Sequence, residues 1–156
     1  LTILKSIKEL STHHLVVIGN GKEYKNKCQK YISDNNLQQR VTFLSGLELS
    51  EMAAIYQKAK ILVYPSIFEG FGIPILESLF SKTPVITSQG GCFSETGGSH
   101  SLYINPLSVS DLIQSITQIE NNKELREEMI TKGWEYAQNF TDEKVAQNLH
   151  KIYTSL

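Results

Sequence analysis

The chain is poor in several features that mark whole classes of protein. Its 156 residues contain two cysteines, Cys28 and Cys92, which are too few for a disulfide framework and lack metal-ligand spacing, so we expect a reducing compartment. No apolar run approaches the ~18 residues of a membrane-spanning helix. The formal net charge of -1 lacks the basic excess of a dedicated nucleic-acid binder. Only Arg40 and Arg126 are arginines, so bidentate phosphate-binding forks are scarce.

Short apolar runs alternate with helical patterns over the first two thirds of the chain. Buried strands are predicted at residues 15–19, 41–44, 61–64, 84–87 and 102–104. The segments between them carry apolar stripes at helical spacing, such as Tyr24, Cys28 and Tyr31. This alternation predicts an α/β fold, with a doubly wound parallel sheet and helices on both of its faces.

From residue 108 onward the pattern is helical alone. Leu112, Ile116 and Ile119 form one apolar stripe, and Thr141 is the predicted N-cap of a last amphipathic helix. We therefore interpret residues 1–156 as a single domain in which residues 108–156 form a helical tail. The chain also starts directly in a helical pattern, which favours a piece of a longer protein.

Most nucleotide-binding and catalytic motifs are absent. Gly19-Asn20-Gly21 begins like a dinucleotide fingerprint, but Tyr24 stands where the third glycine belongs, so a tight strand-to-helix turn explains it equally well. The sequence contains no P-loop pattern and no Gly-x-Ser-x-Gly elbow. The four histidines have no metal-ligand spacing, and we expect each to be a surface residue.

The segment of residues 65–77 combines two glycines with two glutamates where a predicted strand ends and a predicted helix begins. Open α/β sheets bind ligands on this side. Gly70 and Gly72 allow the backbone and its N–H groups to approach a ligand, and the start of the helix favours an anion such as a diphosphate. Glu69 and Glu77 suit a hydroxyl-rich ligand, because carboxylates accept O–H hydrogen bonds. On spacing alone, a glycine-rich turn with two surface glutamates remains an equal alternative.

Residues 65–77 resemble the pattern PSxxEGFGxPxLE of glycosyltransferase family 4, whose members are retaining enzymes with the GT-B fold. Glu69 and Glu77 match the E-x7-E motif of that family. Other matches follow in order over most of residues 1–120: residues 17–21 resemble VVGDG, residues 41–46 resemble VxFLG, and residues 83–95 resemble GxPVI…GG…E.

The sequence departs from the family pattern at two places. Thr83 stands where the family usually has glycine, and Cys92-Phe93 is a less usual pair ahead of Glu95. Both departures look peripheral to the matched motifs.

The resemblance implies a C-terminal donor-binding domain, one Rossmann-like half of a GT-B fold. It implies binding of a nucleoside-diphosphate sugar, whose hexose is transferred with retention to an acceptor held by an N-terminal domain. Glu69 is implied as the catalytic residue at the hexose, and Glu77 as the acceptor of ribose hydroxyls. The other implied donor-binding residues are Gly70, Phe71, Gly72 and Ile73 at the hexose or phosphate, Ser45, Gly46 and Leu47 near the base, and Gly19 and Gly21 beneath the ligand.

The resemblance also implies elements that would precede Leu1. These are the first strand of the domain, the acceptor domain, and the Arg and Lys that bind the diphosphate. No metal and no further cofactor are implied, and no nucleic acid is expected as partner. The expected acceptor is a sugar or lipid-linked glycan in bacterial surface polysaccharide or glycoconjugate synthesis. The expected location is the cytoplasm, with peripheral association of the full-length protein at the inner face of the membrane.

Two alternative functions stay open from the sequence. One is a non-catalytic nucleotide-sugar-binding module that pairs with a partner subunit. The other is a different GT-B enzyme, such as a nucleotide-sugar epimerase or a sucrose-type synthase. An acceptor domain with an Arg/Lys pair upstream of Leu1 would favour the transferase over the binding module.

Overall fold

The computed structural model of the protein describes residues 1–21 and 23–155. Its strands are β1 (Leu15–Ile18), β2 (Val41–Leu44), β3 (Leu62–Tyr64), β4 (Val85–Ser88) and β5 (Leu102–Ile104). Its helices are α1 (Thr2–Glu9), α2 (Glu23–Asp34), α3 (Leu49–Lys58), α4 (Ile73–Phe80), α5 (Phe93–Gly97), α6 (Val109–Asn121), α7 (Lys123–Ala137) and α8 (Asp142–Thr154), with a 3-10 turn at Gln138–Phe140. The predicted α/β class and the helical tail are confirmed.

The strands form two parallel sheets, whereas the alternation of strands and helices predicted one. β1 pairs with β2, and β4 lies between β3 and β5, with Ile86 opposite Val63 and Leu102. Within residues 1–21 and 23–155, no strand joins β1 to β3. The parallel sheet is therefore interrupted between the pair β1–β2 and the group β3–β4–β5.

A groove of about 490 Å³ lies at this break. It is lined by Leu15 and Val17 of β1, by Leu4 of α1 and by Ile67, which follows β3. The lining includes neither of the two predicted carboxylates. Strands of parallel sheets are normally buried on both faces, yet β1 leaves Val16 42% exposed.

The core is centred on β4, whose residues are buried on both faces. Ile86 packs with Ile104 and with Leu112 and Ile119 of α6, which is one face of the three-stranded sheet. Val85 points to the opposite face and packs in a second cluster with residues of α4, α5 and α7. β4, at whose carboxyl end the predicted site lies, is therefore fixed between two hydrophobic clusters, one on each face of the sheet.

The tail departs from simple amphipathic packing at α8. Thr141 caps this helix as predicted, because its Oγ1 accepts a hydrogen bond from Lys144 N at 3.4 Å. Four apolar side chains share one stripe at helical spacing, but none of them is buried: Val145, Leu149, Ile152 and Tyr153. Periodicity thus predicts the helix correctly, while no element of the described chain covers its apolar stripe.

Two of the histidines lie within 4 Å of a glutamate carboxylate. The Nε2 atom of His13 is 2.9 Å from Glu120 Oε1, and His100 Nδ1 is 3.3 Å from Glu128 Oε1. Both rings are only partly exposed. These two histidines lie at the surface, as predicted, and each stands beside a glutamate carboxylate.

Candidate functional site

The glycine- and glutamate-containing segment folds as a loop, residues 65–72, between β3 and α4. It extends from the carboxyl end of β3, and the parallel neighbour β4 ends at the same edge. Gly72 precedes α4 with φ 93° and ψ 46°, a left-handed conformation that is costly for any residue with a Cβ. Gly70 has no positive φ, and no atom lies within 4 Å of the place a Cβ would take. Of these two loop glycines, Gly72 alone has a backbone conformation that favours glycine.

Side chains of β4 and the α5 region donate hydrogen bonds to carbonyl oxygens of the loop and of Tyr64, the last residue of β3. The donor–acceptor pairs are Thr87 to Tyr64 O, Ser88 to Ser66 O, Cys92 to Glu69 O and Thr96 to Phe71 O. Three of these donors are buried, so they tie the loop backbone to the core. The loop side chains Ile67 and Phe68 nevertheless remain 75% and 89% exposed.

Both glutamates accept hydrogen bonds from tyrosine hydroxyls. Tyr64 donates to Glu69 Oε1 at 2.6 Å, and Ser66 donates to the same oxygen at 2.8 Å. Tyr56 of α3 donates to Glu77 Oε2 at 3.0 Å. Each carboxylate is thereby oriented by one of its oxygens. The other oxygens, Glu69 Oε2 and Glu77 Oε1, receive no hydrogen bond from any residue in the described part of the chain.

The hydrogen bonds shift the ionisation of these groups. The bonds from Tyr64 and Ser66 lower the pKa of Glu69, because they favour the ionised carboxylate. Burial, together with the bond to Glu69, raises the pKa of Tyr64 to about 12. Burial and the bond to Glu77 likewise raise the pKa of Tyr56. At neutral pH the tyrosines are therefore donors and Glu69 is charged.

The loop ends in three backbone N–H groups without a hydrogen-bond acceptor in the described chain, on exposed Phe71, buried Gly72 and exposed Ile73. Among residues 1–21 and 23–155, no acceptor takes a hydrogen bond from the amides of Phe71, Gly72 or Ile73. Pro74 has no N–H, and the amide of Ile75 is already bonded to Gly72 O at 2.9 Å. Unpaired amides at the start of a helix favour anions and other oxygen ligands.

Gly19 and Gly21 lie on the far side of the groove at the sheet break. Gly19 follows β1 with φ 142°, and its amide donates to Leu44 O at 3.1 Å. Gly21 has no positive φ. Both line the groove together with Pro65 and Ile67, which belong to the start of the site loop.

Ser45, Gly46 and Leu47 follow β2, one strand further from the loop. Gly46 has φ 68°, and both Ser45 and Gly46 are exposed. None of the three lines the groove or bonds to the two carboxylates. Glu69 and the unpaired amides belong to the loop before α4, and Glu77 lies in α4 itself.

The sequence reasoning missed the hydroxyl groups that organise the loop. Tyr64 and Thr87 lie in predicted strands, and no sequence pattern gives their hydroxyl groups, or that of Tyr56, a role. The sequence contains a signal for Thr87, because Thr87 and Ser88 are polar residues at the end of an otherwise apolar strand. The Cys92 departure is not peripheral either, since its Sγ lies 3.5 Å from Glu69 O.

The Thr83 departure has a structural role as well. Its side chain is 2% exposed, and its Oγ1 donates to Tyr56 O at 2.7 Å. This bond fixes the end of α3, the helix that carries the partner of Glu77.

Neither a metal-ion site nor a membrane-spanning helix is found among the described residues. They contain no group of three or more His, Cys, Asp or Glu side chains arranged to hold a metal ion. None of their helices has the length and apolar character needed to cross a membrane.

Solved structures define the class of fold. Anabaena HepE, determined in complex with UDP, superposes with a TM-score of 0.89 at 16% identity, covering 99% of this chain and 44% of HepE. At that identity the likeness concerns the fold alone. The described elements correspond to a Rossmann-like half of a GT-B protein.

The chain belongs to the family described as glycosyl transferases group 1, whose sequence model matches residues 1–136. The O-antigen chain mannosyltransferase RfbU of Salmonella typhimurium is 38% identical over 109 residues, covering 70% of this chain and 31% of RfbU. An uncharacterized glycosyltransferase of Methanocaldococcus jannaschii is 31% identical over 156 residues, covering 99% of this chain and 44% of the relative. The chain therefore spans less than half the length of these relatives.

Proposed function

We propose that residues 1–156 form the donor-binding part of a retaining glycosyltransferase, which transfers a hexose from a nucleoside-diphosphate sugar. The observation that carries the proposal is the loop before α4. It presents consecutive unpaired amides at Phe71, Gly72 and Ile73 between two carboxylates that are each held by hydroxyl donors. Amides suit phosphate oxygens, and carboxylates suit the hydroxyls of ribose and hexose.

A relative and a solved structure support both the proposed activity and the proposed donor. RfbU is named an O-antigen chain mannosyltransferase, which supports a whole protein that builds surface polysaccharide. HepE was determined with UDP, which supports a nucleotide-sugar donor for a domain of this fold. The acceptor would be held by a second domain, in keeping with the greater length of the relatives.

In the proposed reaction the bond between the anomeric carbon and the diphosphate oxygen breaks while the acceptor oxygen bonds to the same face of that carbon. The acceptor hydroxyl loses its proton to the departing phosphate oxygen. The loop amides hold the hexose hydroxyls or the phosphate, and Glu77 holds the ribose. Glu69, ionised at neutral pH, stabilises the positive charge that develops on the sugar ring or orients the hexose hydroxyls.

The first alternative is a nucleotide-sugar-binding module without catalytic activity. It leaves Glu69 without a clear role. A donor-binding role is already supplied by Glu77 and by the amides, whereas Glu69 is a second carboxylate fixed by two donors on one oxygen. We therefore prefer the enzyme. A sucrose-type synthase would use the same donor site, so the identity of the acceptor separates it from a polysaccharide-building transferase.

The decisive experiment is Glu69→Ala in the full-length enzyme, after a calorimetric screen of UDP, GDP, ADP and their sugars has identified the donor. We expect kcat to fall about 100-fold, the scale of losing one stabilising group in the transition state. The dissociation constant of the free nucleoside diphosphate should stay within about threefold, or roughly 0.7 kcal/mol. Glu124→Ala, which removes an exposed glutamate of α7, is the matched control and should change neither quantity.

Three other results are informative. An unchanged kcat with Glu69→Ala would contradict the catalytic assignment. Weaker nucleotide binding with an unchanged kcat would mean that the roles of Glu69 and Glu77 are exchanged. Donor binding without any transfer to sugars or lipid-linked glycans, in the full-length protein, would favour the binding module.

A further inference from the structure

In each of the two site carboxylates, only one oxygen accepts hydrogen bonds from the described residues. Tyr64 and Ser66 both donate to Glu69 Oε1, at 2.6 and 2.8 Å, and leave Oε2 without a donor from the described residues. Tyr56 donates to Glu77 Oε2, at 3.0 Å, and leaves Oε1 in the same condition. The loop carboxylate of Glu69 and the α4 carboxylate of Glu77 are therefore alike: hydroxyl groups donate to one oxygen, and the other oxygen has no donor from the described residues.

This arrangement contributes orientation more than stability. The neighbouring loop side chains Ile67 and Phe68 are largely exposed, so packing does not hold these two in place. Glu69 is itself only partly buried, so solvent screens part of what its hydrogen bonds contribute to folding. A free glutamate side chain samples many rotamers, and fixing it before the ligand arrives removes an entropic cost from binding and from the transition state.

Resting on the proposed function, we propose that Tyr64 and Ser66 are positioning residues that fix Glu69 so that its Oε2 faces the transferring hexose. Tyr56 fixes Glu77 in the same manner, so that Oε1 faces the ribose. The three hydroxyls act through the carboxylates and touch no reacting atom. Tyr64 stays protonated at neutral pH, because burial and the neighbouring Glu69 raise its pKa to about 12, and so it remains a permanent donor.

Tyr64→Phe tests the proposal in the full-length enzyme, because it removes one hydroxyl and keeps the ring. We expect kcat to fall about tenfold, the scale of one hydrogen bond to a charged group. The dissociation constant of the nucleoside diphosphate should stay within about twofold. In a Glu69→Ala background, the same substitution should change kcat by less than twofold, because the group through which Tyr64 acts is already gone.

Tyr103→Phe is the matched control. Tyr103 belongs to the same apolar cluster as Tyr64, and its hydroxyl donates to Gly98 O, away from both carboxylates. Its loss should leave kcat unchanged in both backgrounds. A Tyr64→Phe effect of equal size with and without Glu69 would show a merely structural role and overturn the proposal.

The pH profile provides a readout that a loss of packing would not move. The bonds from Tyr64 and Ser66 lower the pKa of Glu69, so removing either donor raises that pKa. The acid limb of kcat should therefore shift to higher pH in Tyr64→Phe and in Ser66→Ala, and stay in place in Tyr103→Phe. Ser66→Ala also tests the same carboxylate oxygen should Tyr64→Phe fail to fold. An unshifted limb in a folded Ser66→Ala or Tyr64→Phe variant would contradict the assignment.

The two proposals fail in different ways. If Glu69→Ala itself leaves kcat unchanged, the proposed function is wrong. If Glu69→Ala lowers kcat while Tyr64→Phe and Ser66→Ala are silent, only the positioning role is wrong. For the second pair, Tyr56→Phe should raise the dissociation constant of the nucleoside diphosphate about tenfold and leave the acid limb in place; an unchanged constant would overturn that half.

Discussion

Gly72→Ala is the sharpest test of the loop geometry, because the structure assigns different roles to two neighbouring glycines. An alanine at position 72 would take φ 93°, a left-handed conformation that costs about 1–2 kcal/mol. Its Cβ would lie 3.2 Å from Ile75 Cδ1, a tight approach that the end of a flexible side chain relieves by a small shift. The lower entropy of the unfolded chain offsets about 0.4–1 kcal/mol. We expect a net loss of about 1 kcal/mol in the free energy of unfolding.

Gly70→Ala is the internal control for this substitution. Gly70 has no positive φ, and an added Cβ would meet no atom within 4 Å. Only the effect on the unfolded chain remains, so the free energy of unfolding should rise by about 0.4–1 kcal/mol. The difference between the two variants, about 1–2 kcal/mol, isolates the left-handed conformation, because the unfolded-state contribution is common to both.

Equilibrium unfolding in urea measures both variants on the 156-residue polypeptide, with the slope against denaturant as a check that the unfolded state is comparable. Nucleotide titration of the full-length enzyme gives a second readout. The amides of Gly72 and Ile73 turn with the backbone at position 72, so Gly72→Ala should weaken nucleoside-diphosphate binding. Equal free energies of unfolding for the two variants would refute the left-handed conformation of Gly72.

Three further outcomes are expected. Residues 1–156 alone should transfer no sugar and should bind a nucleotide sugar only in the millimolar range, about -4 kcal/mol, because half of the proposed cleft is absent; turnover by the purified polypeptide would contradict this. Glu77→Gln in the full-length enzyme should raise the nucleotide dissociation constant roughly 10- to 100-fold, since hydrogen bonds to a charged group contribute about 1.5–3 kcal/mol, and unchanged binding would make Glu77 a helix-surface residue. Thr83→Val should lower the free energy of unfolding by about 0.5–1.5 kcal/mol, because it removes the buried donor to Tyr56 O; the exposed Thr117→Val of α6 is its control, and equal stability of both would contradict the role given to this bond.

The sequence by itself determined the secondary structure and the location of the candidate site. Hydrophobic periodicity is a local property, so the strands, the helices from residue 108 onward and the cap at Thr141 follow from residues close in the chain. The family was also readable, because the spacing of Glu69 and Glu77 around two glycines is local. The roles of these residues remain predictions that the proposed variants test.

Glu69 is oriented by near neighbours in the chain, Tyr64 and Ser66, whereas tertiary structure alone decided which group orients Glu77. The donor to Glu77 is Tyr56, which lies 21 residues away on another helix. Thr87 holds the loop from the neighbouring strand, 23 residues from its acceptor Tyr64 O. Such partners depend on how strands and helices pack, and no local period encodes them.

The division of the sheet and the uncovered stripe of α8 have the same origin. An apolar run specifies that β1 is a strand, but its pairing depends on which other strands are present, and between β1 and β3 the described chain supplies none. Likewise, the spacing of Val145, Leu149 and Ile152 specifies a helix and leaves its partner unspecified. The sequence determines each element through short-range periodicity and steric preference, whereas the tertiary structure decides which faces meet, because that depends on contacts between residues far apart in the chain.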